Sequence, residues 1–358
     1  MVSSDRVRLV VLFGGRSAEH EVSCTSAAHV LRAADVERYE IVPVGITRDG
    51  TWVVADEAVA ALEDGQDALP PQLEATGTTV DPFQVVSPAG DMPVVVLPLL
   101  HGTHGEDGTV QGLFEVAGVP YVGSGVLASA LAMDKAKAKE VLGARGLPQV
   151  PHVVLRDTEL EGAAEAVAAA GLTYPVFTKP ANLGSSVGVS KVRGPDELAG
   201  ALALAAQYDE WLLVEQGVEA REIEVGVLGN GRPRTSVPGE IVSSHEFYDY
   251  DDKYVDGTCQ LLVPAPLDEK VAEEARALAV EAFLALRCEG MARVDFFYEE
   301  GGRGLLVNEV NTIPGFTPVS MYPRVWEASG LTYGELIDEL VDLAIERHQR
   351  RSRFSTKR

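Results

Sequence analysis

Arg293, Asp295, Glu309 and Asn311 are the residues of this chain whose types and spacing most directly imply chemistry. They lie between Met291 and Ser320, in two runs that read as strands joined by a glycine-rich turn from Glu299 to Gly304. Side chains two apart on a strand point the same way, so Arg293 shares a face with Asp295, and Glu309 with Asn311. Val294, Phe296, Val307 and Val310 supply apolar filling. A three-residue turn at Gly301 to Arg303 would set Asp295 opposite Glu309 and gather three oxygen ligands on one face. Two carboxylates and an amide oxygen suit Mg2+, a hard ion that takes few protein ligands and completes its shell with water and phosphate oxygens. The plain alternative is a solvated polar face on an antiparallel hairpin. Against it stands the sequel, Thr312-Ile313-Pro314-Gly315-Phe316-Thr317, a rigid turn able to present backbone amides and hydroxyls beside a metal.

A second candidate is Lys179 at a strand end, followed by the small, glycine-flanked stretch Pro180 to Gly188. Such a loop lets backbone amides approach phosphate oxygens while the lysine adds a point charge. A third is His101-Gly102-Thr103-His104-Gly105-Glu106-Asp107-Gly108, which follows an apolar strand. Its histidines lack the cysteine or third histidine that zinc would need, and a tight loop with capping acids is the simple reading.

The elements that must position these residues are those of a mixed α/β chain. At 358 residues and 46 % hydrophobic content, without a long apolar run, the composition is that of a soluble globular enzyme of two or three domains. The early apolar run Val7 to Phe13 is too short for a signal-peptide core, so the expected location is the cytoplasm, with no membrane insertion. Three scattered cysteines read as reduced thiols. A net charge of −24 argues against nucleic acid as a partner. A polyanionic ligand must then be held by local lysines, which screening permits because fields fade within about 8 Å.

Strand, glycine turn and helix succeed one another from Arg6 to Ala34, and further apolar runs at Tyr39 to Ile46, Met92 to Leu99 and Pro120 to Val122 imply a small Rossmann-like sheet. No G-x-G-x-x-G is present, so dinucleotide binding is not supported. The expected division is a substrate domain over 1–128, a central subdomain over 129–221 and a C-terminal domain over 222–346. The last carries a polar-aromatic lid loop at 243–262, and residues 347–358 read as a disordered basic tail. Asp134 is placed to cap a helix Lys135 to Ala144, and 56–88 reads as a surface excursion with a short helix.

The R-x-D strand followed by E-V-N-T-x-P-G resembles the ATP-grasp superfamily, and within it the D-alanine:D-alanine ligases; the resemblance spans about Val7 to Ile345. It implies an N-terminal Rossmann-like domain followed by a two-part ATP-grasp fold. It implies ATP and two Mg2+ ions at Asp295, Glu309 and Asn311, with Mn2+ as a permitted substitute. It makes Lys135 and Lys179 nucleotide ligands, and closes the loop of Ser185 and Ser186 over the triphosphate. Glu215, Gln216 and Val218 would read adenine, and Glu222 the ribose. His101 would lie against the first D-alanine and Glu21 would bind its ammonium. Lys253 would reach the phosphates, and Tyr254 would latch the lid by hydrogen bonds with Glu21 and Ser185. Arg293 and the backbone at Gly315 would stabilise an oxyanion, and Ser320 and Met321 would contact the second substrate's carboxylate. The implied reaction joins two D-alanines through an acyl phosphate, for peptidoglycan precursors, in a homodimer. A D-alanine:D-lactate ligase or another ATP-grasp carboxylate–amine ligase is the alternative, and a non-catalytic nucleotide-binding module a more distant one.

Overall fold

A computed structural model describes residues 6–87, 92–184, 186–242 and 260–355. Three sheets account for its strands. The first holds β1 (Val7–Gly14), β2 (Tyr39–Ile46), β3 (Trp52–Val54), β4 (Thr78–Thr79) and β5 (Val94–Pro98), in the order β4-β3-β2-β1-β5. β1 lies between β2 and β5 and pairs in parallel with both. Leu9 to Phe13 are wholly buried, as expected of a strand covered on both faces. Helix α1 (His20–Ala33) packs on β1, and its first turn lies at the carboxyl end of that strand, where open α/β sheets place their ligands. The expected strand at 120–122 makes one parallel bridge, Val96 to Tyr121. The excursion after β3 carries α2 (Asp56–Asp64) and α3 (Pro82–Val86), but it is not purely surface: Leu69 and Leu73 are buried in the core.

Helices α4 (Thr109–Ala117), α5 (Val126–Met133) and α6 (Lys135–Ala144) lead to the second sheet. The Asp134 carboxylate accepts from Lys137 N at 2.9 Å, so α6 begins where the capping residue predicts. The second sheet holds β6 (His152–Arg156), β7 (Val176–Pro180), β8 (Ser190–Val192) and β9 (Trp211–Gln216), ordered β6-β9-β7-β8 and antiparallel throughout. Helices α7 (Ala163–Ala169) and α8 (Pro195–Ala205) cover it around Val167, Val176, Leu202 and Val214.

The third sheet is ordered β13-β12-β10-β14-β15, with β11 (Arg234–Thr235) on β10. Its members are β10 (Arg221–Gly229), β12 (Gly239–Val242), β13 (Gln260–Leu262), β14 (Gly290–Glu299) and β15 (Gly304–Asn311). Helix α9 (Glu269–Ala285) closes one face through Ala275, Ala279, Ala282 and Phe283. Helices α10 (Met321–Ala328) and α11 (Tyr333–Ser352) close the other against the first sheet, in a core shared by Trp326, Leu336, Leu340, Val11 and Leu31.

The expectation of a disordered tail from Arg347 does not hold. α11 continues to Ser352, because Arg347 falls on its buried stripe after Leu336, Leu340 and Ala344 and is 3 % exposed. The guanidinium donates to the carbonyls of Gly123 and Tyr121 and lies 4.1 Å from the Tyr121 ring centroid. Arg350 pairs with Glu289 and Arg351 with Glu115. The basic end of α11 thus clamps the first sheet to the root of β14. There Gly290, at φ +74°, lies so close to Gly123 that a Cβ would meet its backbone at 3.0 Å. Arg347→Ala leaves two buried carbonyls without their donor and should destabilise the protein by about 2–4 kcal/mol. Urea unfolding checks this, and an unchanged midpoint would mean the clamp contributes nothing.

Candidate active site

A cleft of about 1030 Å3 opens where the three sheets meet. The hairpin of β14 and β15 forms its floor. Asp295 lies opposite Glu309 and Arg293 opposite Asn311, so all four side chains share one face. The route to that pairing differs from the expected one. The turn has four residues, Glu299 pairing with Gly304, and a bulge at Asn308 restores the register between Phe296 and Asp295. Glu224 of β10 pairs beside Asp295, which sets three carboxylates in a row across three strands.

Two cations face that row. Arg293 binds Asp295 through two hydrogen bonds of 2.7 Å and approaches Glu224 at 3.0 Å. Burial opposes its charge, but Asp295 and Glu224 outweigh it and raise the guanidinium well above its ordinary pKa. Lys135 stands 3.5 Å from Glu309 and donates to the carbonyl of Leu183 at 2.7 Å, joining the carboxylate face to the glycine loop. Asn311 donates its amide N–H to Asp295 at 2.8 Å. Among the described residues no three His, Cys, Asp or Glu side chains converge on a metal position. Two carboxylates and an amide oxygen instead fit an oxygen-seeking ion whose other positions go to phosphate and water.

The upper wall belongs to the second sheet. Lys179 is the penultimate residue of β7 and forms an ion pair with Glu215 on the neighbouring strand β9. Lys139, one turn beyond Lys135 on α6, binds the other Glu215 oxygen at 2.7 Å. The carboxylate is buried, yet the two lysines lower its pKa. Gln216, Val218, Glu222 and Ser186 also line this end. At the opposite end, Gly315 has no side chain, and a Cβ there would meet Ser320 Oγ at 3.1 Å. Ser320 in turn accepts from Thr317 N and lies beside Met321 at the start of α10.

The third wall comes from the first sheet. His101 is buried and donates from Nδ1 to Ile313 O at 3.0 Å. Burial lowers its pKa, so the ring is neutral, and Nε2 is a buried acceptor with no partner among the described residues. Glu106 accepts from Gly102 N at 2.8 Å, and burial together with the charge of Glu19 raises its pKa to about 8. The native state therefore holds the proton between the ordinary value of 4.5 and about 8, whereas the unfolded chain has released it. This contribution to stability is complete below pH 4.5, falls as pH rises through the interval and levels off above about 8. Glu106→Gln should flatten that decline in thermal unfolding profiles between these limits; an unaltered slope would exclude Glu106 as its source.

Every predicted site residue within the described segments lines this cleft, while Ser185, Lys253 and Tyr254 lie outside those segments. The placement of Glu21 differs from its expected use. Its side chain is 53 % exposed and pairs with Arg48 on the turn after β2, which lowers its pKa. Glu19, just before α1, is the acid beside Gly102, Gly184 and Glu106: a Cβ at Gly102 or Gly184 would meet its Oε2 at 3.3 or 3.5 Å. Three residues were not anticipated. Lys139 is i+4 from Lys135, and Glu224 is two from Glu222 on a strand, so periodicity carried a signal for both. For Glu19 over Glu21 the sequence carried none, since the choice depends on where α1 begins.

The chain matches two family models, described as D-ala D-ala ligase N-terminus over residues 8–124 and D-ala D-ala ligase C-terminus over residues 141–342. The D-alanine--D-alanine ligase of Thermoanaerobacter sp. (strain X514) is 48 % identical over 358 aligned residues, covering 98 % of this chain and 99 % of that protein. That of Listeria monocytogenes serotype 4b (strain F2365) is 47 % identical with the same coverage. Among solved structures, the D-alanine-D-alanine ligase from Coxiella burnetii is 35 % identical with a TM-score of 0.79, covering 98 % of this chain and 97 % of that one. The VanG D-Ala:D-Ser ligase from Enterococcus faecalis is also 35 % identical, with a TM-score of 0.81 and coverage of 95 % and 99 %.

Proposed function

The chain belongs to the D-alanine–D-alanine ligase family, and from that premise we propose that the cleft joins two D-alanines through an acyl phosphate, using ATP. The observation that carries this reading is the hairpin floor, where two carboxylates, an amide and a clamped arginine share one face beneath a lysine-lined wall. Mg2+ held by Asp295, Glu309 and Asn311 would supply charge neutralisation for the transferring phosphoryl group, with two ions as the expected number. Lys135, Lys179 and the loop at Ser186 hold the triphosphate; Glu215, Gln216 and Val218 take adenine and Glu222 the ribose.

We place the first D-alanine ammonium at Glu19 rather than Glu21, since Glu19 lies beside Glu106 and Gly102 whereas Glu21 is occupied by Arg48. The neutral His101 adds no positive charge there. A carboxylate oxygen of that substrate attacks the γ-phosphorus as ADP departs. The amine of the second D-alanine, its carboxylate set by Ser320 and Met321, then forms the C–N bond as phosphate leaves. Arg293 and the Gly315 amide stabilise the tetrahedral oxyanion that the amine's attack forms and that phosphate departure, with loss of the amine proton, resolves. Lys253 and Tyr254 belong to the same reading as lid residues, and a homodimer in the cytoplasm is its expected setting.

The test is phosphate release from ATP with D-alanine alone, then with D-lactate, D-serine or L-alanine added. Phosphate and D-alanyl-D-alanine formed in equal amounts with D-alanine alone is the expected result. Ester formation in preference to dipeptide, or no release with D-alanine alone, would overturn the reading.

A further inference from the structure

Glu215 is a carboxylate with two ammonium partners, and they differ in what they can do. Lys139 is 2 % exposed and reaches Oε1 from α6 at 2.7 Å; Lys179 is 14 % exposed, lines the cleft and reaches Oε2 from β7. One buried pair would satisfy the charge. The second lysine gives this carboxylate one cation more than it needs, even though burial lowers the pKa of Lys139. If Lys179 is to turn toward a phosphate, it must leave Glu215, and a buried carboxylate stripped of its last partner is strongly unfavourable. With one lysine the wall would hold Lys179 back; with two it can release it.

We propose that Lys139 is the standing counter-ion of Glu215, which frees Lys179 to leave that carboxylate for a nucleotide phosphate. Lys139 is thus a positioning residue that acts through Glu215 and touches no ligand. Lys135 and Lys139, one helical turn apart, then divide the work of α6: Lys135 contacts Glu309 and the glycine loop, and Lys139 holds the neighbouring wall. This rests on the reading of Lys179 as a phosphate ligand, and the experiment separates the two.

Binding of adenosine and of the non-hydrolysable β,γ-methylene analogue of ATP with Mg2+ is measured by calorimetry on the full chain. The ratio of the two affinities isolates what the phosphates contribute. Lys139→Met should lower that ratio by roughly ten- to a hundredfold, the worth of one charge-assisted contact, while adenosine binding changes little. Lys139→Arg should keep it near the parent value. In a Glu215→Gln background Lys179 has no carboxylate to leave, so adding Lys139→Met should no longer alter the ratio. That pair also serves if Lys139→Met alone fails to fold. Continued loss in the Gln background would make Lys139 merely structural or a direct ligand, and overturn the proposal. If Lys179→Met leaves the ratio unchanged, the reading of Lys179 itself fails. If Lys179→Met lowers the ratio and Lys139→Met does not, only the counter-ion proposal fails.

Discussion

Arg293→Ala is expected to lose both turnover and stability, for separable reasons. Removing one donor from a developing oxyanion lowers kcat on the order of 10^2- to 10^3-fold. The same change leaves Glu224, 5 % exposed, and Asp295 as buried carboxylates without their arginine, which destabilises by about 3–5 kcal/mol. Adding Glu224→Gln should recover a large part of the unfolding free energy and none of the turnover. Urea titration beside steady-state kinetics distinguishes the two contributions. A change confined to the KM for ATP would make Arg293 a nucleotide ligand and remove it from the second chemical step.

Glu309→Gln is the cleaner probe of the metal face, since its side chain is 28 % exposed and its cationic neighbour, Lys135, keeps the Leu183 carbonyl as a partner. Its fold should survive within about 1 kcal/mol, while kcat falls by roughly 10^3-fold, equivalent to several kcal/mol of stabilisation of transferring charge. Normal turnover at limiting Mg2+ in this variant would sink the assignment of Glu309 as a metal ligand. Asp295→Asn is less diagnostic, because Asp295 also receives Arg293 and Asn311.

Local patterns were the legible part of this molecule. Asp134 capped its helix, β1 and β2 appeared where the apolar runs stood, and Asp295 met Glu309. That last agreement arose from compensation: the turn is one residue longer than expected, and the bulge at Asn308 cancels the difference. Bulges have no reliable sequence mark, so the pairing could be expected but its cause could not. Long-range decisions were hidden. Arg347 reads as one more residue of a basic tail until α11 is laid against Tyr121, 226 residues earlier in the chain. Glu19 and Glu21 were indistinguishable because both lie at the start of α1, and only the fold shows that Glu21 meets Arg48 while Glu19 stands beside Gly102 and Gly184. Lys139 shares a helical face with Lys135, which the spacing shows, but its partner, the buried Glu215 on a different element, is visible only in the fold.

The bulge at Asn308 has a further implication. β14 is fixed by β10 along nine consecutive positions, and β15 is fixed independently where Val307 donates to Pro148 and bridges to Gln149. Glu309 and Asp295 are therefore anchored from behind, by the body of the protein, and not by the loop that joins their strands. The tip at 300–303 behaves as slack in a rope tied off at both cleats. Residues added or removed there change the length of the overhang and leave the spacing of the two carboxylates to the moorings below it.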